Sequence, residues 1–195
     1  MLSILTIAYT IATTGWWGET KVRLALRTLP KEYKAVHNVY VRDSRGITQI
    51  DHVLFSPYGI FAIETKNLAG VVFGGADARL WVHLHAHKQY DMYNPFRQNR
   101  RHVRALEEVL GLPQGTVRSA VAFVGPAQIN LAGGPDGIAA RGALTLVRKI
   151  RNVHELRHSP EEAEALRRKL LAVRLPNSQA VRAAHLAQVA KESRG

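Results

Sequence analysis

Residues 47–66 read ITQIDHVLFSPYGIFAIETK, and their pattern decides the fold. The run 47–55 alternates, with Ile47, Gln49, Asp51, Val53 and Phe55 on one side. Ser56, Pro57, Tyr58 and Gly59 follow as a turn signal. The run 60–66 then sets Ile60, Ala62, Glu64 and Lys66 on one face. These are two strands of a hairpin. A turn confined to 56–59 places Phe55 opposite Ile60. An unbroken antiparallel register then sets Asp51 opposite Glu64 and Gln49 opposite Lys66. Directly opposed residues hold their Cβ atoms about 4.5–5.5 Å apart on one face, whereas a β-bulge would spoil the match.

Working outward, the pattern predicts a first amphipathic helix over 15–29. Glu19, Val22, Leu26 and Leu29 recur there at helical spacing. Glu19 therefore falls on the apolar stripe, which is unusual for a carboxylate unless something pairs with it. The plain alternative is a first-turn glutamate favoured by the helix dipole. Strands are predicted over 35–41, 71–73 and 80–87. Asn94 and Pro95 open a helix that runs to Leu110 and stops at Gly111. The apolar run 117–124 reads as a buried strand, 125–142 as a Gly- and Pro-rich loop, and 143–147 as a further strand. Ser159 with Glu162 forms a capping box for another helix, and 179–191 is a last, peripheral helix. This order predicts an α/β fold with a mixed β-sheet flanked by helices. It divides the chain into an apolar N-terminal segment (1–14), a central domain (15–150) and a C-terminal helical appendage (151–195).

The chain carries 27 Lys and Arg against 15 Asp and Glu, a net charge of +12, among 195 residues that are 46% apolar. That apolar fraction supports one sizeable core. The basic excess favours a polyanionic partner, nucleic acid first, with solubility or an anionic membrane as the alternatives. The absence of cysteine excludes disulfides, thiolate zinc sites and a cysteine nucleophile. No charged residue occurs from Met1 to Gly18. This stretch leaves two readings open, a marginal membrane anchor or the start of a buried helix. The expected location is cytoplasmic, with or without membrane association.

Two carboxylates at cross-strand distance repel each other, and one takes up a proton unless a cation intervenes. Hard oxygen ligands suit Mg²⁺ or Mn²⁺. Lys66, two residues beyond Glu64 on the same face, can position a water or steady a phosphate. The bland alternative is a hairpin with cross-strand ion pairs, and on spacing alone that alternative wins.

Larger blocks shift the balance. Asp51 with Glu64-Thr65-Lys66 resembles the PD-(D/E)xK nuclease signature. More specifically, the chain resembles the nuclease-related domain (NERD) family. The resemblance rests on Gly18-Glu19; Gln49-Ile50-Asp51-His52; Gly59-Ile60-Phe61; Ile63-Glu64-Thr65-Lys66-Asn67 with Gly70; Trp81; and Asn94-Pro95 with Gln98-Asn99 and His102. These blocks fall in order over roughly residues 15–124. The resemblance implies a restriction-endonuclease-like PD-(D/E)xK core and a metal-dependent nuclease using Mg²⁺ or Mn²⁺. It implies Asp51 and Glu64 as metal ligands, the Thr65 carbonyl completing the shell, and Lys66 orienting the attacking water. Glu19 would reach the metal directly or through water. Gln98 matches a glutamine that related nucleases carry on this helix. The recombination-nuclease relatives place a tyrosine four residues later, and this chain has His102.

Gln98 and His102 share a helix face, which suits substrate positioning or, alternatively, packing. Arg97, Arg100, Arg101 and Arg104 form a basic face on the same helix, fit for phosphate contacts. His83, His85 and His87 alternate along one predicted strand and read as an exposed face rather than a metal site. The expected partner is DNA in preference to RNA, with a homo-oligomer and a membrane contact left open. The competing reading is a catalytically silent nuclease-fold module that binds DNA or a protein partner.

Overall fold

The structure is a computed structural model that describes residues 16–192. The apolar segment 1–14, with the anchor question it raises, lies outside the described residues. Helix α1 covers 16–26. Strands β1 (Lys34–Asp43), β2 (Gly46–Ser56), β3 (Gly59–Lys66), β4 (Val71–Gly75), β5 (Leu80–His85) and β6 (Lys88–Tyr93) follow. Then come α2 (Pro95–Leu110), β7 (Val117–Phe123), β8 (Gln128–Ala132), β9 (Ile138–Arg141), α3 (Ala143–Arg151), α4 (Pro160–Val173) and α5 (Gln179–Glu192). One sheet runs β1-β2-β3-β7-β9 and the other β6-β5-β4-β8. Both are mixed. The β7–β9 and β4–β8 pairs are parallel, and the hairpin pairs are antiparallel. The α/β expectation, mixed sheet flanked by helices, holds.

The chain forms two compact units. One takes in residues up to 29 together with 64–98 and 120–153; the other takes in 30–63, 99–119 and 154 onward. The first is built on Val72, Trp81, Phe96, Val121, Phe123 and Ile129. Trp81 stacks on Phe123 with ring centroids 6.1 Å apart. Gly74 leaves the room this ring needs, since a Cβ there would run into the indole. The second unit buries Val39, Val53, Phe55 and Ile60 from its strands, Leu106 and Leu110 from α2, and Leu170 from α4.

The hairpin register expected from the turn holds from Ser56↔Gly59 out to His52↔Ile63. Elsewhere the structure differs from the sequence reading. Residues 143–147 are not a strand but the start of α3, whose buried Leu146, Val147 and Ile150 lie at helical spacing. A five-residue window is too short to show that period. The predicted loop 125–142 contains β8 and β9, two short strands that gain their identity from parallel partners rather than from local pattern. The predicted strand 80–87 ends at His85. Ala86 and His87 take φ of 50° and 60° and turn the chain into β6. Two left-handed residues in a two-residue hairpin turn usually announce themselves as Asn or Gly; neither is present here.

Candidate active site

The first unit gathers Glu19, Glu64, Thr65, Lys66 and Gln98. Glu64 is 3% exposed near the end of β3. Its Oε1 lies 2.7 Å from the Lys66 ammonium. Lys66 Nζ also donates to Gln98 Oε1 at 2.9 Å. Positions 64 and 66 share a face of an extended strand, so the ion pair needs no backbone distortion. The strand end is held by Val124, whose N–H donates to the Lys66 carbonyl at 2.9 Å.

Glu19 reaches this cluster because Gly18 lets α1 come close. A Cβ at position 18 would sit 2.8 Å from Asn67 Cβ and 3.2 Å from Val124 Cγ2. Burial, and then the negative charge of Glu64, hold the Glu19 carboxyl above the ordinary carboxylate range. The carboxylate on the apolar stripe thus lies within electrostatic reach of another carboxylate, while Val22, Leu26 and Leu29 on the same stripe are buried.

Gln98 is aimed by the start of α2. Asn94, fully buried, accepts from the N–H of Phe96 at 2.9 Å and of Arg97 at 3.4 Å. Its amide nitrogen donates to the carbonyls of Ala78 at 2.8 Å and Ala76 at 3.1 Å. One side chain therefore caps the helix and ties it to the β4–β5 turn. Trp81 Nε1 donates to Gly75 in the same turn at 3.0 Å. The sequence shows the cap; the link to the turn depends on a distant segment and leaves no local signal.

Asp51 belongs to the second unit and is half-buried on β2. The β1–β2 ladder pairs His37 with His52 and Val39 with Ile50, and passes over Asn38 and Asp51. Asn38 there takes a left-handed φ of 51°, a conformation asparagine tolerates better than most residues. Strand β1 is distorted beside Asp51. Gln49 braces the distortion: its amide nitrogen donates to Asn38 Oδ1 at 3.3 Å and its Oε1 accepts from Tyr40 at 2.8 Å. His37 and His52 share a 2.8 Å hydrogen bond between their Nδ1 atoms.

The basic helix face is reduced. Arg101 is ion-paired with Asp43, whose side chain is 2% exposed. His102 is 4% exposed, with Nδ1 2.9 Å from Thr48 Oγ1, so it packs inside the second unit and does not face solvent. Arg97 donates to the Asp77 carbonyl at 3.3 Å. Arg100 is half-buried and Arg104 exposed. His87 sits in the hairpin turn, so three histidines do not share a strand face. His83 and His85 stack at 5.9 Å, and His83 Nε2 lies 2.7 Å from the Ala69 carbonyl.

The site offers hard oxygen donors of the kind Mg²⁺ and Mn²⁺ take, and the mutual repulsion of Glu19 and Glu64 is the electrostatic setting in which a cation is stabilised. Among the described residues no three His, Cys, Asp or Glu side chains come together as a metal-holding group. Lys66 answers the Glu64 charge in this structure. No described helix is long and apolar enough to cross a membrane.

A protein of Bacillus anthracis, itself uncharacterized, is 38% identical over 97 residues, covering 47% of this chain and 46% of that protein. The chain thus spans about half the length of this curated relative. A crystal structure of a protein of unknown function aligns with 90% of this chain and 96% of its own, at 16% identity and a TM-score of 0.34, a likeness that carries no argument. The model of the nuclease-related domain matches residues 14–124, which include α1, the Asp51 hairpin, Glu64 to Lys66 and Gln98. On that match, the chain belongs to the nuclease-related domain (NERD) family.

Proposed function

We propose that this chain is a metal-dependent nuclease that hydrolyses phosphodiester bonds, in DNA rather than RNA. The observation that carries the proposal is the Lys66 ammonium, held between Glu64 and Gln98 with Glu19 in electrostatic contact with Glu64. A lysine fixed by two hydrogen bonds beside paired acids is preorganised for a developing negative charge. Mg²⁺ or Mn²⁺ would be held by Asp51, Glu64 and the Thr65 carbonyl, with Glu19 bound directly or through water. When bound, such a cation supplies Lewis-acid activation of water and phosphate. Asp51 enters this set on the resemblance to the PD-(D/E)xK signature, which carries an acid ahead of a run like Glu64-Thr65-Lys66.

Lys66 orients the attacking water and steadies a non-bridging phosphate oxygen. Gln98 restricts the lysine to that task by accepting a hydrogen bond from one of its N–H groups. Arg97, Arg100 and Arg104 contact backbone phosphates, a sequence-independent attraction that weakens with salt.

The test is cleavage of plasmid and linear DNA with Mg²⁺ or Mn²⁺ against EDTA, in the wild type, Asp51→Ala and Lys66→Ala. The expected result is metal-dependent cutting that falls by at least about a hundredfold in both variants. Cutting unchanged in both refutes the site. No cutting by the wild type, with salt-sensitive DNA binding intact, leaves the catalytically silent module as the function.

A further inference from the structure

The two faces of the β6-β5-β4-β8 sheet differ sharply. Val72, Trp81 and Ile129 on the inner face are at most 1% exposed. The registers pair Phe73 with Val82, Val71 with Leu84, and Leu80 with Tyr93 on the outer face. There Phe73 is 46% exposed, Leu80 49%, Leu84 39% and Tyr93 46%. An apolar face this open, on a chain of net charge +12, is unusual for a surface that only meets water.

The face is shallow and open to solvent. A groove of about 610 Å³ runs along it, with Phe73, Leu80 and Val82 as its wall and Asn130 and Arg141 as its polar groups. Gly74 and Gly75 form part of its lining without side chains, so backbone is accessible there. The Arg141 guanidinium donates to the Ile129 carbonyl at 2.6 Å, which fixes its position while leaving N–H groups to spare. Asp91, the carboxylate that the register sets beside Val82, is not part of the groove lining.

An occupant must offer flat apolar faces to Phe73, edge polarity to the Asn130 amide and negative charge to Arg141. An unpaired nucleotide has all three. An acidic peptide would also satisfy the apolar wall and Arg141, but only an aromatic side chain within it would give Phe73 a flat face. A duplex keeps its base faces stacked and cannot present them. We propose that this groove binds an unpaired nucleotide segment of nucleic acid, a base stacking on Phe73 and a phosphate held by Arg141. Tyr93, beside Leu80, extends the stacking surface to the next base. The proposal deepens the nuclease reading by naming single-stranded substrate, and it rests on that reading only for the class of ligand. Binding by aromatic stacking needs no metal and no cleavage.

The experiment is fluorescence anisotropy of a labelled oligothymidylate with the full chain in EDTA. The wild type is compared with Phe73→Ala and Arg141→Gln, and circular dichroism reports whether each variant is folded. Phe73→Leu keeps the apolar wall without the ring and serves where Phe73→Ala fails to fold. Loss of the ring is expected to weaken binding roughly 5- to 100-fold, the range that base–aromatic stacking supplies. An abasic strand of the same length should bind the wild type as weakly as oligothymidylate binds the variant. Equal binding by the wild type and the ring-less variant, equal binding of the abasic strand, or no binding by the wild type overturns the groove. So does a dimer that Phe73→Ala dissolves without changing oligonucleotide affinity, which would assign the face to a second copy of the chain. Metal-dependent cutting is assayed separately on single-stranded and on duplex DNA. Cutting without groove-dependent binding refutes only this inference, and groove-dependent binding without cutting refutes only the nuclease reading.

Discussion

Glu19 shows how the placement of one carboxylate sets a cost in stability. Its carboxyl is raised by burial and by Glu64, so its ionised form opposes the folded state at neutral pH. The raised value makes this cost absent at low pH and fully present once the pH passes the folded-state value. Replacing the acid by its amide removes the charge and keeps the shape. Glu19→Gln should therefore raise the melting temperature modestly at neutral pH while lowering metal-dependent cutting roughly tenfold or more. Calorimetry and a cleavage assay on the same preparation check both halves, and a lowered melting temperature with full activity would contradict the assignment. The residue's place was legible in the sequence, since a carboxylate on an apolar stripe asks for a partner. What brings it to Glu64 was not. The close approach at Gly18 depends on Asn67 and Val124, far along the chain. Arg101 and His102 mislead for the same reason, because helical spacing gives their face but not the Asp43 and Thr48 that occupy them.

Among the elements, α2 depends most on one side chain. Asn94 caps its first turn and also holds the carbonyls of Ala76 and Ala78. Asn94→Ala should cost about 2–3 kcal/mol, the loss of a cap together with buried carbonyls left unsatisfied. Asn94→Asp keeps the acceptor and loses the donor, so it should recover only part of that. Urea denaturation of both variants would show it, and equal stability of Asn94→Asp and wild type would mean that the turn contacts count for nothing. Strand reading worked where alternation and a turn signal agree, as in the β2–β3 hairpin. It failed where a strand is defined by a parallel neighbour, as in β8 and β9, or where a hairpin turn lacks its usual residues, as at Ala86 and His87. The first five of the nine residues of α3 pass for a strand because so short a window does not show a helical period.

For the whole molecule, each compact unit is assembled from separate stretches of chain. Contacts of that kind close long loops, which slows folding relative to helical bundles of the same size. The C-terminal helices are part of this assembly. Leu170 of α4 is fully buried with Val39, Phe55 and Leu106. Leu170→Ala should destabilise the protein by about 2–5 kcal/mol, a core deletion rather than a surface change. Chemical denaturation checks it, and a change below about 0.5 kcal/mol would mark α4 as dispensable to the core.

The turn between β1 and β2 has a consequence for anyone altering this chain. Glu108 accepts from the Ser44 N–H at 2.6 Å and from its hydroxyl at 2.8 Å, and Arg101 pairs with Asp43. Gln188 of α5 accepts from the Ile47 N–H at 2.8 Å and donates to the Arg45 carbonyl at 3.1 Å. Although Ser44 and Arg45 are exposed, the turn is gripped from two helices, and an epitope tag or new chain terminus placed there would break both grips at once. Residues 133–137, mostly exposed and holding three glycines, are where such a graft belongs.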